Sequence, residues 1–277
     1  GSTTSARWEA PSVGTRIVHF DSDPMVIGAN LPTEVGVVGD LRLSLAMANA
    51  ELDRRGQGLA TFGGATAVAD IKRRKFEIFD RIAAEDNRPI RPERVIASLM
   101  KVLPPDATVV SDPGTSCPYA SAYYEQQLAG RYFITNRAHG ALGYSLAASL
   151  GAWYGRPSSK TVALMGDGSF GFTVGELETV CRSRANITFV VFSNSNFGWI
   201  KASQKDDKGA RYYNVDFGRV DQAAVASAYG VKSWKVEDPA DLERVLREAV
   251  AHDGPTLVDV ITQPLEESNA PVRRWMG

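Results

Sequence analysis

Short, mostly apolar runs recur along the 277-residue chain at 108–110, 160–165, 187–192, 232–236 and 256–260. Runs of that length suit strands buried on both faces. Between and before them, apolar residues return every three or four positions. That period predicts helices at 92–103, around 121–127, and at 143–153, 174–184, 222–229 and 240–251. Regular alternation of this kind implies an α/β fold, a three-layer parallel sheet with helices on both faces. Ligands of such a sheet sit outside the carboxyl ends of its strands.

The first part of the chain has a thinner pattern. Strand-like runs at 16–20 and 35–38, the second closed by Gly39-Asp40, precede a helix at 41–55 that carries Leu41, Leu45, Ala48 and Leu52 on one face and stops at Gly56. Two short strands and one helix cannot make a core. A glycine-rich stretch and a charged helix at 71–86 then read as a connector. The expected division is 1–60, 61–91 and 92–277, the last with a tail from 265 that contains Pro271 and Trp275 and either folds over the site or frays.

Composition narrows the function. With 44% hydrophobic and 23% charged residues the chain is ordinary globular protein, and a net charge of −1 argues against a nucleic-acid partner. The basic clusters Arg73-Arg74-Lys75 and Arg273-Arg274 read as solvated helix faces. No apolar run approaches the ~18 residues that span a bilayer, and residues 1–9 lack a signal-peptide pattern, so no membrane partner and a cytoplasmic location are the default expectation. Cys117 and Cys181 have no metal-ligand or redox spacing and read as reduced and structural, although Cys117 lies in a Gly/Pro/Ser loop near the expected site.

The chemistry concentrates at Gly166-Asp167-Gly168-Ser169-Phe170-Gly171, directly after the apolar run 161–165. As letters this fits G-x-G-x-x-G, a weak signal by itself. In a dinucleotide site the pyrophosphate sits on this turn, so Asp167 would face like charge. A divalent cation between Asp167 and a diphosphate removes the conflict, because hard Mg²⁺ takes carboxylate, amide and phosphate oxygens in one octahedral shell. A dinucleotide unit also needs an acid about 20 residues on to hold a ribose. Here the next strand ends in Ser193-Asn194-Ser195-Asn196, all neutral oxygen donors, and Asn194 follows Asp167 by 27 positions (194 − 167). That spacing suits one strand-helix-strand unit of about 30 residues, which places Asp167 and Asn194 at the carboxyl ends of two parallel strands.

With G-D-G, a 27-residue interval and an asparagine after an apolar strand, the chain resembles thiamine-diphosphate-dependent enzymes of the acetolactate-synthase-like family, over roughly their C-terminal half. The resemblance implies Mg²⁺ ligands from Asp167, the Asn194 side chain and the Asn196 carbonyl, with Gly166, Gly168, Ser169, Phe197 and Gly198 around the cofactor. It implies diphosphate contacts from Gly114, Thr115 and Ser116, which on their own read equally as an ordinary turn, with Asp112 free to cap the following helix. The segment Gly140-Ala141-Leu142-Gly143-Tyr144-Ser145-Leu146-Ala147-Ala148 looks like a further family element, and Leu142 precedes Asp167 by 25 positions (167 − 142). In the family that residue supports the bent cofactor from below, and the Gly140 carbonyl accepts from the 4′-amino group, which must reach the thiazolium C2 proton. The bland alternative for Leu142 is core packing.

His139 is a candidate acid or base against simple local bonding, while His19 and His252 read as structural or exposed. The run Phe197-Gly198-Trp199-Ile200-Lys201 should open a helix whose aromatics are either substrate wall or core. Two stretches, Val18-His19-Phe20-Asp21-Ser22-Asp23-Pro24 and Ile27-Gly28-Ala29-Asn30, resemble the end of the family's central domain. The chain departs from the pattern at Ser193, where the family has a first Asn. It departs from acetolactate synthases proper at Leu142 and Ser203, which there are Met and Trp.

By resemblance the function is the cofactor-binding portion of an enzyme that decarboxylates or ligates 2-oxo acids. The activating glutamate would come from a pyrimidine-binding domain, as a missing N-terminal part or a separate subunit, in a homodimer or tetramer. Two other readings stand beside it: a non-catalytic cofactor-binding or assembly subunit of a split enzyme, and a metal-dependent phosphotransfer fold with Asp167 as nucleophile, against which the Asn194 spacing speaks.

Overall fold

The computed structural model describes residues 11–56, 63–136 and 139–267, and the chain divides into two compact units, 1–71 and 72–277. In the N-terminal unit β1 (Val18–Asp21) and β2 (Val35–Val38) pair in parallel, Val18 opposite Val35 and Asp21 opposite Val38. The Asp40 carboxylate accepts the Leu43 N–H at 2.9 Å and so starts α1 (Leu41–Arg55). No residue between 11 and 56 is buried. The apolar positions of α1 have the expected period, yet Leu41, Leu45 and Leu52 stay 54%, 43% and 48% exposed.

In place of the expected connector helix at 71–86, α2 (Gly64–Ala83) runs across the unit boundary, and its Phe79 and Ala83 belong to the core of the second unit. That unit continues through α3 (Pro92–Val102), β3 (Thr108–Ser111), α4 (Ser116–Tyr123), β4 (Phe133–Thr135), α5 (Tyr144–Gly155) and β5 (Thr161–Gly166). Next come α6 (Asp167–Thr173), α7 (Leu177–Arg182), β6 (Ile187–Ser193), α8 (Gly198–Asp207), α9 (Gln222–Ala228), β7 (Lys232–Val236), α10 (Pro239–Ala251) and β8 (Thr256–Ile261). The six strands form one parallel sheet in the order β4-β3-β5-β6-β8-β7, flanked by helices as expected.

Alternation along the central strands builds two cores. Val162, Leu164, Val190 and Phe192 pack with α3, α4 and α10, whereas Ala163, Met165, Ile187, Phe189 and Val191 pack with α5, α7 and α9. Both faces are covered, which is why these strands read as unbroken apolar runs. Helix α10 shows the complementary logic: Leu242, Val245, Leu246 and Ala249 recur at helical spacing and are buried, while Asp238 caps the first turn ahead of Pro239. Each fully buried large apolar side chain contributes about 1.5–3 kcal/mol.

Besides α2, three elements differ from the sequence expectation. The helix expected around 121–127 lies at Ser116–Tyr123, because Pro118 is tolerated in a first helical turn and the chain leaves the helix soon afterwards. The edge strand β4 is only three residues long and half-buried, too short to give a period. Residues 167–173, glycine-rich and poor in helix formers, nonetheless form α6, because the turn after β5 is held from outside by the neighbouring loop. Among the described residues no helix is long and apolar enough to cross a membrane. Residues 1–9 and the tail residues Pro271, Arg273-Arg274 and Trp275 lie outside the described residues.

Sheet order fixes where a ligand can go. From β3 the chain passes to β4 on one side, then returns through α5 to β5 on the other. The carboxyl ends of β3 and β5 therefore flank a topological switch point, where α/β sheets open a crevice.

Candidate functional site

A cavity of about 200 Å³ occupies that crevice. Its walls come from the loop after β3 (Pro113, Gly114, Thr115), the turn before α5 (Gly140, Leu142), the start of α6 (Gly166, Asp167, Gly168, Ser169) and the start of α8 (Asn196, Phe197, Gly198, Trp199, Ile200). Thus Gly114, Thr115, Gly140, Leu142, Gly166, Asp167, Gly168, Ser169, Asn196, Phe197 and Gly198 are brought together, although they span 84 positions of sequence (198 − 114).

Asp167 is the pivot. It follows β5 directly and is 5% exposed. Its Oδ2 accepts the N–H groups of Asn194 at 3.0 Å and Ser195 at 2.6 Å, across the gap between β5 and β6, while Oδ1 accepts the Gly168 N–H at 2.9 Å. Burial pushes its pKa up to about 6, against the pull of these three N–H donors. A buried carboxylate held by neutral N–H donors, with the Asp259 carboxylate adding like charge, is an energetically open position for a cation.

The neighbouring loop is shaped to the same end. Ser195 has φ +58, which turns the chain sharply between the two asparagines. Asn194 Oδ1 accepts the Asn196 N–H at a long 3.3 Å, and Asn196 Nδ2 donates to the Asn194 carbonyl at 3.1 Å. Two buried polar atoms, Asn194 Nδ2 and Asn196 Oδ1, find no partner, and such atoms call for a ligand or water. The loop is braced from behind, where Phe197 N–H donates to the Val215 carbonyl at 2.8 Å and Phe217 N–H to the Ser195 carbonyl at 3.0 Å. Close approach explains two of the glycines: a Cβ on Gly168 would lie 2.9 Å from Phe197 Cε1, and one on Gly198 would lie 2.8 Å from Thr115 Oγ1.

Among the described residues no cluster of three or more His, Cys, Asp or Glu side chains is placed to hold a metal. One carboxylate beside amide oxygens, of which Asn196 Oδ1 is buried without a partner, is instead a donor set that fits a hard divalent cation carrying phosphate oxygens of its own, while the unpaired Asn194 Nδ2 can only donate, as to such an oxygen. The residues present therefore fit Mg²⁺ with a diphosphate.

Other expected residues fall outside the cavity wall. Ser116 is buried and turned away, its hydroxyl 3.2 Å from that of Ser111. His139 is exposed and its N–H donates to the Asn136 carbonyl, without a place in the wall. Cys117 is buried in α4, with Sγ 3.8 Å from the Thr135 hydroxyl. Asp112 does not cap α4, the helix that follows it; its carboxylate reaches α5 instead, because the crossover brings that helix back beside β3.

Sequence reasoning passed over Asp259. It is fully buried on β8, accepts the Ser193 hydroxyl and, at 3.1 Å, the Gln222 N–H, and burial raises its pKa. A lone acid inside the apolar run 256–260 was the available signal. It also gives Ser193, the departure from the family pattern, a partner of its own.

Comparison with known proteins gives this geometry a family. The family described as thiamine pyrophosphate enzyme, C-terminal TPP binding domain, matches residues 112–260. The chain is 30% identical to a catabolic acetolactate synthase of Raoultella terrigena over 88% of its own length and 43% of that protein. It is 26% identical to a probable acetolactate synthase large subunit of Methanococcus aeolicus, over 91% of the chain and 44% of the relative. A benzoylformate decarboxylase of Pseudomonas aeruginosa is 28% identical over 66% of the chain and 34% of the relative. The chain thus spans less than half the length of these relatives. Its matched region begins one residue beyond β3 and contains β5 and β6, the residues that line the cavity and the Asp167 to Asn196 constellation, and the chain belongs to the thiamine pyrophosphate enzymes through their C-terminal cofactor-binding domain.

Proposed function

We propose that this chain is the Mg²⁺ and diphosphate-holding portion of an enzyme that uses thiamine diphosphate, the same compound as thiamine pyrophosphate, on 2-oxo acids. The observation that carries the reading is the buried Asp167 carboxylate, joined across two strand ends to the Asn194-Ser195-Asn196 loop at the switch point. Asp167, the Asn194 side-chain oxygen and the Asn196 carbonyl hold the cation. Gly114, Thr115, Gly168 and Ser169 border the diphosphate, and helix α6, which begins at Asp167, turns its N-terminal N–H groups toward negative charge. Leu142 and the Gly140 carbonyl serve the organic end, and Trp199 and Ile200 form an apolar wall that keeps water from the reacting centre.

When bound, the cofactor supplies the electron sink for breaking or making the bond beside a 2-oxo acid's carbonyl, giving decarboxylation or carboligation. The residues of this chain bind it, fix its orientation and exclude water. Activation requires a glutamate on a pyrimidine-binding domain, contributed from elsewhere in the polypeptide or by another subunit of a homodimer or tetramer. Residues 1–60 are the end of a central domain in this reading.

Thermal unfolding tests it. Thiamine diphosphate with Mg²⁺ at about 100 times Kd should stabilise the chain by about 2.7 kcal/mol. Chelation of Mg²⁺ should remove the shift, and so should Asp167→Ala. An equal shift in the absence of any divalent cation, or none in its presence at millimolar cofactor, counts against the assignment.

A further inference from the structure

We propose that Asp112 is a positioning residue that sets the Leu142 shelf at its distance from the Gly114-Thr115 loop, so that the organic part of the cofactor depends on it and the diphosphate does not. The inference rests on the reading of the cavity as a thiamine diphosphate site. Asp112 is fully buried one residue beyond β3, where its own N–H donates to the Leu164 carbonyl at 2.9 Å. Its Oδ1 accepts the Tyr144 N–H at 3.2 Å, and its Oδ2 accepts the Ser145 N–H at 3.0 Å together with the Ser145 hydroxyl. The side chain is thus a strut between the end of β3 and the first turn of α5.

The turn that α5 begins from has little freedom of its own. Gly140 and Gly143 both sit in the left-handed region, at φ +72 and +85, and Leu142 lies between them. Asn136 Nδ2 donates to the Ala141 carbonyl at 3.0 Å, and the Thr173 hydroxyl to the Gly143 carbonyl at 3.1 Å. Leu142 Cδ2 reaches to 3.4 Å from where a Cβ on Gly114 would stand. Leu142 and Gly114 are adjoining parts of the cavity wall, and Asp112 joins the two loops that carry them.

The carboxylate is more costly than capping requires. Asp40, Asp221 and Asp238 cap α1, α9 and α10 from positions two or three residues away and are not buried. Asp112 instead reaches across 32 and 33 residues and lies in the core, where burial raises its pKa. An ionised group placed so needs all its donors in fixed positions. The cation side of the cavity is anchored separately, by the bonds from Asn194 and Ser195 to Asp167.

Titration calorimetry on the 277-residue chain in Mg²⁺ buffer, with inorganic pyrophosphate and with thiamine diphosphate, separates the two ends. Wild type should bind thiamine diphosphate more tightly than pyrophosphate. Asp112→Asn turns an amide NH₂ against the α5 N–H groups; it should leave pyrophosphate affinity within about twofold and weaken thiamine diphosphate about tenfold. Leu142→Ala should show the same selective loss. Equal weakening of both ligands, or of neither, in Asp112→Asn overturns the inference and leaves the site reading standing. A wild type without preference for thiamine diphosphate overturns the site reading and the inference with it. If Asp112→Asn does not fold, Ser145→Ala carries the test with a loss of about threefold, and an unchanged ratio there is equally fatal.

Discussion

The two units share one chain grammar and reach opposite degrees of burial. In each, parallel strands are closed by a short turn and an aspartate leads into a helix. In the N-terminal unit nothing between 11 and 56 is buried, whereas Phe189, Val190, Val191 and Phe192 on β6 are wholly inaccessible. Apolar period places side chains on one face of an element. Burial requires a second layer to receive that face, which a six-stranded sheet with helices on both sides provides and a two-stranded pair with one helix does not.

Substitutions can break this contrast. The largest expected effect is Phe189→Ala in the second unit, which should cost about 3–5 kcal/mol in denaturant unfolding; a loss below about 1 kcal/mol would place β6 outside a packed core. Next comes Asp167→Ala. It should remove the ligand-dependent stabilisation of about 2.7 kcal/mol at 100 times Kd, read as a melting shift, while leaving the N-terminal unit's susceptibility to protease unchanged.

A smaller effect lies at the opposite end of the sheet from the cavity. Burial lowers the pKa of Lys160, next to the start of β5, to about 8, so between pH 8 and about 10.5 the unfolded chain holds a proton the folded chain has shed. Stability should therefore rise with pH across that window. Lys160→Gln should flatten the rise, and an unaltered pH profile would exclude Lys160 as its source. The smallest effect is expected for Leu45→Ala on α1, within about 0.5 kcal/mol because the site is exposed and both residues are good helix formers. A loss above about 2 kcal/mol would mean that this face is covered in solution and would erase the contrast between the units.

The strands that were easy to read in the sequence were those buried on both faces. β5, β6 and β8 appear within one residue of their expected limits because continuous apolar runs leave no doubt about their environment. β4, at three half-buried residues, carries no such signal, and α6 has glycines where a helix would ordinarily need helix formers. The contact between Asp167 and the Asn194 loop was legible because their spacing is local to one strand-helix-strand unit. Asp112, free by its sequence to cap α4, bonds α5 instead, and Asp259 gives no sequence signal beyond a lone acid in an apolar run, since each acts on a partner more than 30 residues away.

The α/β alternation, the parallel sheet and the Asp167 to Asn194 interval are legible in the order of residues, all consequences of chain period and of chemistry within about 30 residues. Which loops meet beside the switch point, which aspartates brace them from the core, and the exposure of the apolar face of α1 are set by the folded arrangement. Those outcomes depend on the order of strands in the sheet and on the layers above and below it, and a crossover can bring two segments together at almost any separation along the chain.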